Sequence, residues 1–320
     1  KEGGEGMILP KFAYTKPKSI KEAIEVYKRY NGNACFFAGG TDLMPLAKQR
    51  LVSPDAVIDI KNIEELKIIE NKDGWLTIGS NVTLYDLKNY PTTKEFFKGL
   101  YESLDETSCE TLQMRGTIGG NILQNTRCLF YNKSIEWRTA RGFCFKMGGT
   151  ICNAVPKGNV CFSNYCSDNA VSLITLSAEI QLVGLNTERR IALEKVFSGN
   201  GIKPFATEPG EILTRIYIPL EKNTGAYEKL RVRGSIDYPL ISAAVALKNN
   251  GSRVSIGGIG PAPLLYNINS TDKDSIEEIA QKAYGDAKTV ANTVLTPAYR
   301  KRMVSVLIKR VIKRALQEGN

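Results

Sequence analysis

The chain has 320 residues, with 43 Lys and Arg against 33 Asp and Glu for a net charge of +10, and it contains no histidine. That length favours two or three domains with a sizeable core, and an apolar fraction of 42% rules out wholesale disorder. The missing histidine excludes Ser-His-Asp and Cys-His catalysis, His-ligated zinc and haem on a proximal His.

The charge excess suits nucleic acid, a membrane surface, an anionic substrate or an acidic partner, and by itself selects none of them. No apolar run approaches the roughly 20 residues of a membrane-spanning helix. Lys1 to Gly6 reads as a tag remnant or frayed start, since it lacks a signal-peptide core. The expected compartment is therefore cytoplasmic, where seven cysteines serve as metal ligands or core thiols rather than disulfides.

Ser19-Ile20-Lys21-Glu22 is a capping-box pattern, and the apolar spacing behind it predicts a helix over 19–30. A short strand at Ala34–Phe37 stops at Gly39-Gly40, a helix follows through Leu46, and Ala56–Ile60 is a further strand. These elements define a small α/β unit over residues 7–60. Strands at Trp75–Gly79 and Ile180–Val183, with helices near 83–89 and 169–177, place a mixed lobe over 61–220. Tyr227–Arg233, Ser242–Leu247 and Arg253–Ile259 alternate as strands, before helices at Ser275–Tyr284 and Thr296–Leu316. Strands followed by helices predict a separate α+β domain over 221–320.

Two glycine loops carry the first functional signal. Phe37-Ala38-Gly39-Gly40-Thr41-Asp42-Leu43 places glycines between a strand and a helix start, where main-chain N–H groups can approach an anion. Alone it is more simply an ordinary tight turn. The second loop, Arg115-Gly116-Thr117-Ile118-Gly119-Gly120-Asn121, changes that balance, because two such loops can clamp a pyrophosphate from both sides. Neither fits G-x-G-x-x-G or the P-loop pattern, which argues against Rossmann and Walker sites.

F-A-G-G-T-D-L followed by T-I-G-G-N resembles the FAD-binding subunits of the xanthine dehydrogenase and carbon monoxide dehydrogenase family, the molybdenum hydroxylases. Ser167-Asp168-Asn169-Ala170 is similar to the family's S-D-x-x-P segment, with Ala or a shifted register where Pro is usual. Glu228 to Arg233 with Asp237-Tyr238-Pro239-Leu240 resembles the opening of its C-terminal domain. The resemblance spans about residues 7–262. It implies a two-lobed FAD-binding (PCMH/VAO-type) α+β fold, a small α/β unit plus a larger α+β lobe, followed by a C-terminal α+β domain as in carbon monoxide dehydrogenase flavoproteins. It also implies that Ala38, Gly39, Gly40, Thr41 and Asp42, with Thr117, Gly119, Gly120 and Asn121, hold the FAD pyrophosphate. Asp168 is placed near the adenosine ribose, and Lys229 near the flavin ring edge.

Between these motifs lies an insertion of about 40 residues, roughly 124–165, containing Cys128, Cys144, Cys152 and Cys161 at spacings of 16, 8 and 9. Four converging thiolates hold either tetrahedral zinc or a cubane cluster. Structural zinc sites show tight C-x₂₋₄-C pairs, absent here, so the wide spacing suits the larger cluster. Unrelated thiols in a long loop are the bland reading, disfavoured because long loops are usually functional. Cys166 competes with Cys161 as fourth ligand, but abuts the S-D segment. Cys35 reads as a core thiol, and Cys109 has no partner spacing.

In position, length and cysteine count the insertion resembles the [4Fe-4S]-bearing flavoprotein subunits of the 4-hydroxybenzoyl-CoA reductase type. Glu136-Trp137-Arg138 and Cys144-Phe145-Lys146 add to that match. The resemblance implies FAD and a [4Fe-4S] cluster on this chain. It further implies a large molybdenum-pterin subunit and a small [2Fe-2S] subunit, as a dimer of heterotrimers fed by ferredoxin or a similar carrier. The reaction it implies is reductive dehydroxylation of an aromatic acyl-CoA, such as 4-hydroxybenzoyl-CoA. An oxidative hydroxylase of purines, aldehydes or N-heterocycles is the close alternative. A non-enzymatic, basic Cys₄-zinc binding protein is the alternative of another class.

Other features read as structural. Arg300-Lys301-Arg302, Lys309-Arg310 and Lys313-Arg314 give the last helix a basic, solvated face. Asp105, Glu106 and Glu110 read as a solvated loop rather than an acid–base pair. Tyr14, Tyr131 and Tyr165 read as packing residues.

Overall fold

The structure, a computed structural model, describes residues 9–249 and 251–318. The expected tag at 1–6 lies outside the described residues. Three sheets, each with its own apolar core, make up the fold.

The first sheet is parallel, in the order β1 (Ala13–Thr15), β3 (Ala56–Asp59), β2 (Ala34–Phe37). Helix α1 (Ile20–Arg29) returns the chain from β1 to β2, and α2 (Leu43–Lys48) leads toward β3. Ser19 caps α1, its Oγ accepting from Glu22 N at 3.2 Å; Glu22 reaches back to Lys18 N at 2.7 Å. Ala23, Ile24 and Val26 turn inward against Ala56, Ile58 and Leu66.

The second sheet is antiparallel, in the order β4 (Ile69–Lys72), β5 (Trp75–Gly79), β8 (Ile212–Pro219), β6 (Glu179–Val183), β7 (Glu188–Ala192). Its centre, β8, was not anticipated from the sequence. Helices α3 (Leu84–Asn89), α4 (Pro91–Phe96), α5 (Lys98–Asp105), α6 (Glu110–Gln113), α7 (Ile118–Ile122) and α9 (Asp168–Thr175) accompany it, and α8 (Ile135–Arg141) belongs to the cysteine insertion.

The third sheet runs β9 (Thr224–Leu230), β10 (Ile241–Leu247), β11 (Arg253–Gly257), β12 (Leu264–Asn267), antiparallel throughout. Helices α10 (Lys273–Asp286) and α11 (Pro297–Glu318) pack on it with Val304, Leu307, Ile308, Val311 and Ile312. Its other face is also covered, by α5 and α9 from the preceding lobe. This explains why β10 reads Ser-Ala-Ala-Val-Ala: buried on both faces, it needs small side chains where helices come close. Gly99 of α5 sits so near β9 and β10 that a Cβ there would meet Ala226 N at 3.2 Å and Val245 O at 3.3 Å.

Arg300 departs from the expected basic face. It is fully buried and donates to the carbonyls of Leu240, Val290 and Gly258 and to Asn292 Oδ1. Lys309, Arg310 and Arg314 pair with Glu277, Glu228 and Glu102, so the face is partly neutralised within the chain. Among the described residues no helix is long and apolar enough to cross a membrane.

Candidate functional site

A cleft of about 510 Å³ opens where the two glycine loops meet the starts of α7 and α9. Ala38, Gly39, Gly40, Thr41 and Asp42 form one wall, and Thr117, Gly119, Gly120 and Asn121 the other, with Asp168 between them. The first loop's glycines have separate causes. At Gly40 φ is +72°, and a Cβ would strike the Phe37 ring. At Gly39 a Cβ would lie 2.0 Å from the Arg115 carbonyl oxygen. The two loops therefore back directly onto each other, and glycine is needed for that approach as well as for an anion.

Thr117 caps α7 by accepting from Gly120 N at 3.2 Å, and Ser167 caps α9 by accepting from Ala170 N at 3.1 Å. Ser167 Oγ donates to Asn121 Oδ1 at 2.6 Å, and Asn169 Nδ2 donates to the same oxygen at 3.0 Å. Asn121 thus locks the two helix starts together. Burial pushes the Asp168 carboxyl up, while Lys229 and the Tyr227 hydroxyl pull it back. Lys229 itself does not reach the wall: its Nζ is spent on Asp168, Glu106 O and Asp237 O.

Several wall residues were not anticipated as ligand contacts. Ser80 and Asn81 follow β5, and Ser80 Oγ and Asn81 Oδ1 are buried without a partner, an opening for a polar ligand. Ile236, Asp237 and Tyr238 close the cleft from the β9–β10 loop. Arg127 ties that loop to the first glycine loop, stacking over Tyr238 at 4.0 Å and meeting Asp42 Oδ1 at 3.4 Å. Burial pushes Asp42 up, opposed by Arg127 and Lys146. The only sequence signal for Ser80 and Asn81 is the Gly79-Ser80-Asn81 strand end; Arg127 and Tyr238 meet the cleft only through tertiary packing. Of the expected packing residues, Tyr165 is buried against Phe197 and Phe205. Tyr14 is half exposed and donates to Asp59.

The insertion is closed by one antiparallel bridge, Arg127 N to Asn164 O at 2.7 Å and Asn164 N to Arg127 O at 2.8 Å. Asn292 pins it to the C-terminal part by accepting from Leu129 N and donating to Phe162 O. Arg138, buried in α8, donates to the carbonyls of Gln49 and Arg50 just beyond α2. Cys128, Cys144, Cys152 and Cys161 line one small void of about 10 Å³, together with Tyr131, Lys146 and Ser163. Cys166 stays outside it, its thiol donating to Asn164 O. Burial pushes Cys128 up to about 11 and raises Cys144, which favours the neutral thiol at both. Among the described residues, no three Cys, Asp or Glu side chains stand at the spacing of a single metal ion. Burial lowers Lys146 to about 8, with the neighbouring thiols opposing.

Fold and cleft define a flavin-binding oxidoreductase chain. Residues 10–221 match the family described as FAD binding domain in molybdopterin dehydrogenase, and the chain belongs to that family. It is 27% identical over 319 residues to the aldehyde oxidoreductase FAD-binding subunit PaoB of Escherichia coli (strain K12), covering 96% of this chain and 98% of that one. It is also 27% identical to the carbon monoxide dehydrogenase medium chain of Afipia carboxidovorans, covering 97% and 98%. A solved carbon monoxide dehydrogenase from Hydrogenophaga pseudoflava, lacking the Mo-pyranopterin moiety, shares the fold with a TM-score of 0.78 at 23% identity over 97% of this chain and 99% of that one. The chain is accordingly the FAD subunit of an oxidoreductase of the molybdenum hydroxylase family, and the non-enzymatic reading falls away.

Proposed function

We propose that this subunit relays electrons between a [4Fe-4S] cluster in the cysteine void, FAD in the cleft, and [2Fe-2S] and molybdenum centres on partner subunits. Flavin handles one or two electrons and a cubane cluster one, so together they join a two-electron chemical step to a one-electron carrier. The observation that carries the reading is the convergence of four thiols from one insertion on one void beside the cleft. All four are soft thiol donors of the kind that holds iron–sulfur clusters. Because the void is only about 10 Å³, a cubane seats there as the thiols spread around it.

The protein supplies the rest. The glycine loops present main-chain donors, Ser80 and Asn81 offer unpaired polar atoms, and Asp168 is held in place by Tyr227 and Lys229. The insertion also exposes Leu129, Ile135, Trp137, Phe143, Ile151 and Val160. Over residues 124–165 six Lys and Arg face a single acid, Glu136. An apolar, basic surface over the cysteines suits an acidic one-electron carrier of the ferredoxin kind. Electrons entering there serve reductive dehydroxylation of an aromatic acyl-CoA on the molybdenum subunit. The second reading, outward flow from oxidation of an aldehyde, purine or N-heterocycle, draws on the names of the relatives, which include aldehyde, nicotinate and xanthine oxidoreductases.

An anaerobic assay of iron, sulfide, zinc and flavin tests the relay. About one FAD and about four iron per chain is the expected result. Zinc in place of iron sinks the cluster, and absence of flavin sinks the relay. With the partner subunits present, oxidation of the dithionite-reduced flavin by 4-hydroxybenzoyl-CoA supports the reductive direction. Flavin reduction by an aldehyde or N-heterocycle instead supports the outward one.

A further inference from the structure

A continuous line of polar groups runs from the flavin cleft to one of the four cysteines. Lys146 Nζ donates to Asn125 Oδ1 on the cleft wall at 2.8 Å, to Thr126 O at 2.8 Å, and to Thr126 Oγ1. Thr126 Oγ1 lies 2.7 Å from Ser163 Oγ, and Ser163 Oγ lies 3.2 Å from Cys161 Sγ. Thr126 and Ser163 are each 1% exposed, so water does not break the line. Both hydroxyls also lie within reach of Gly201 O, at 2.8 and 3.0 Å.

The direction of this line follows from donor and acceptor counting. An ammonium only donates, each hydroxyl has one proton, and a metal-bound thiolate only accepts. With a thiol at position 161, both hydroxyls are free to point at Gly201 O. With a thiolate there, the charge-assisted arrangement runs Lys146 to Thr126 to Ser163 to Cys161, every donor pointing toward sulfur. Bonds aligned in one sense polarise one another, and the low-dielectric surroundings strengthen the effect.

We infer that Lys146, Thr126 and Ser163 form an oriented hydrogen-bond chain that projects positive charge onto Cys161 and makes a cluster held there easier to reduce. The inference rests on the cluster reading above. Reduction adds one electron and no proton to the cluster, and donors aimed at its sulfur ligands stabilise the added charge. The same lysine touches the cleft wall, so one fixed cation stands between the two redox positions. These are positioning residues: Thr126 acts on sulfur only through Ser163, and Lys146 acts through both hydroxyls and through its charge beside the void that the cysteines line.

The experiment uses the assembled enzyme, purified anaerobically, with iron assay and a redox titration of the cluster's paramagnetic resonance signal, with dithionite as reductant and soluble mediators. Ser163→Ala, Thr126→Val and Lys146→Met are each expected to keep wild-type iron. At a fixed potential each is expected to lower the reduced-to-oxidised ratio about tenfold, equivalent to about 59 mV for one electron. Lys146→Arg, which keeps charge and donors, retains the wild-type ratio. Lys157→Met removes the same charge from an exposed site on the insertion and leaves the ratio unmoved. An unchanged ratio in iron-replete Thr126→Val and Lys146→Met overturns the inference, as does an equal shift in Lys157→Met. If Ser163→Ala sheds iron, the other two variants decide. A wild-type enzyme without iron removes the cluster itself, a result distinct from an iron-replete enzyme whose ratio does not move.

Discussion

Lys229 Nζ stands 2.9 Å from Asp168 Oδ1, and both side chains are sealed from solvent at 1% and 5% exposure. The Tyr227 hydroxyl donates to the same oxygen at 2.6 Å. Asp168 opens α9 and lines the cleft, whereas Lys229 and Tyr227 lie on β9, so the pair joins the flavin lobe to the C-terminal sheet. Removing one member of a buried pair strands the other charge, at a cost of about 3–5 kcal/mol. Lys229→Met is therefore expected to lower both the urea midpoint and the flavin content. Lys229→Met with a wild-type midpoint and full flavin would contradict this.

Gly39→Ala tests the contact between the glycine loops. The new methyl group would lie 2.0 Å from Arg115 O, a backbone atom that cannot rotate away. Overpacking of this kind costs about 1–3 kcal/mol, and the strain falls on the loops that line the cleft. The expected outcome is a lowered melting temperature and an FAD-depleted protein; full flavin occupancy would show that the loops separate easily.

Asp59 and Tyr14 give a pH dependence at both ends of the range. Burial pushes Asp59 up, but hydrogen bonds from Lys61 and Tyr14 outweigh it, leaving the carboxyl below its usual value. Its stabilising contribution is present above the unfolded carboxylate pKa and is lost as pH falls through the folded one. Tyr14 is pushed up to about 12, first by its hydrogen bond to Asp59. Its contribution is complete below the unfolded value of 10.0 and is lost as pH rises toward about 12. Tyr14→Phe is expected to flatten the melting temperature profile on both limbs; an unaltered profile would remove the pair from the account.

The cysteine assignment separates by iron content. Cys144→Ser and Cys152→Ser are expected to lose iron while keeping FAD, because both line the void and neither touches the cleft. Cys166→Ser is expected to keep both. Iron lost in Cys166→Ser but kept in Cys161→Ser would exchange Cys161 for Cys166, and iron retained in the first two would redraw the ligand set.

Elements built on local pattern were legible in the sequence. Helix α1 follows from its cap and apolar spacing, β2 from a short apolar run that stops at glycines, and β10 and β11 from alternation. Strand β8 escaped notice although Ile-Leu-Thr-Arg-Ile-Tyr-Ile alternates, because its partners β5 and β6 are set by long-range pairing. Nor does any local pattern announce that α5 and α9 contribute to the core under the second sheet and also pack on the third. In the cleft, glycine spacing pointed to both loops. Nothing local marks Arg127 as the clasp between Asp42 and Tyr238, or turns Lys229 away from the wall toward Asp168. Those roles belong to charges that must find partners once buried, and the partners are distant in sequence.

The Arg127–Asn164 bridge bears on how such a chain gains or loses the cysteine insertion. Both ends of the excursion are already hydrogen-bonded to each other, so joining them directly requires little rearrangement of the surrounding lobe. The polypeptide between them is a cassette: it brings its own four sulfurs, its own basic surface and its own fastenings, Arg138 to the first lobe and Asn292 to the third. A flavin scaffold of this shape can carry such a cassette without being rebuilt around it.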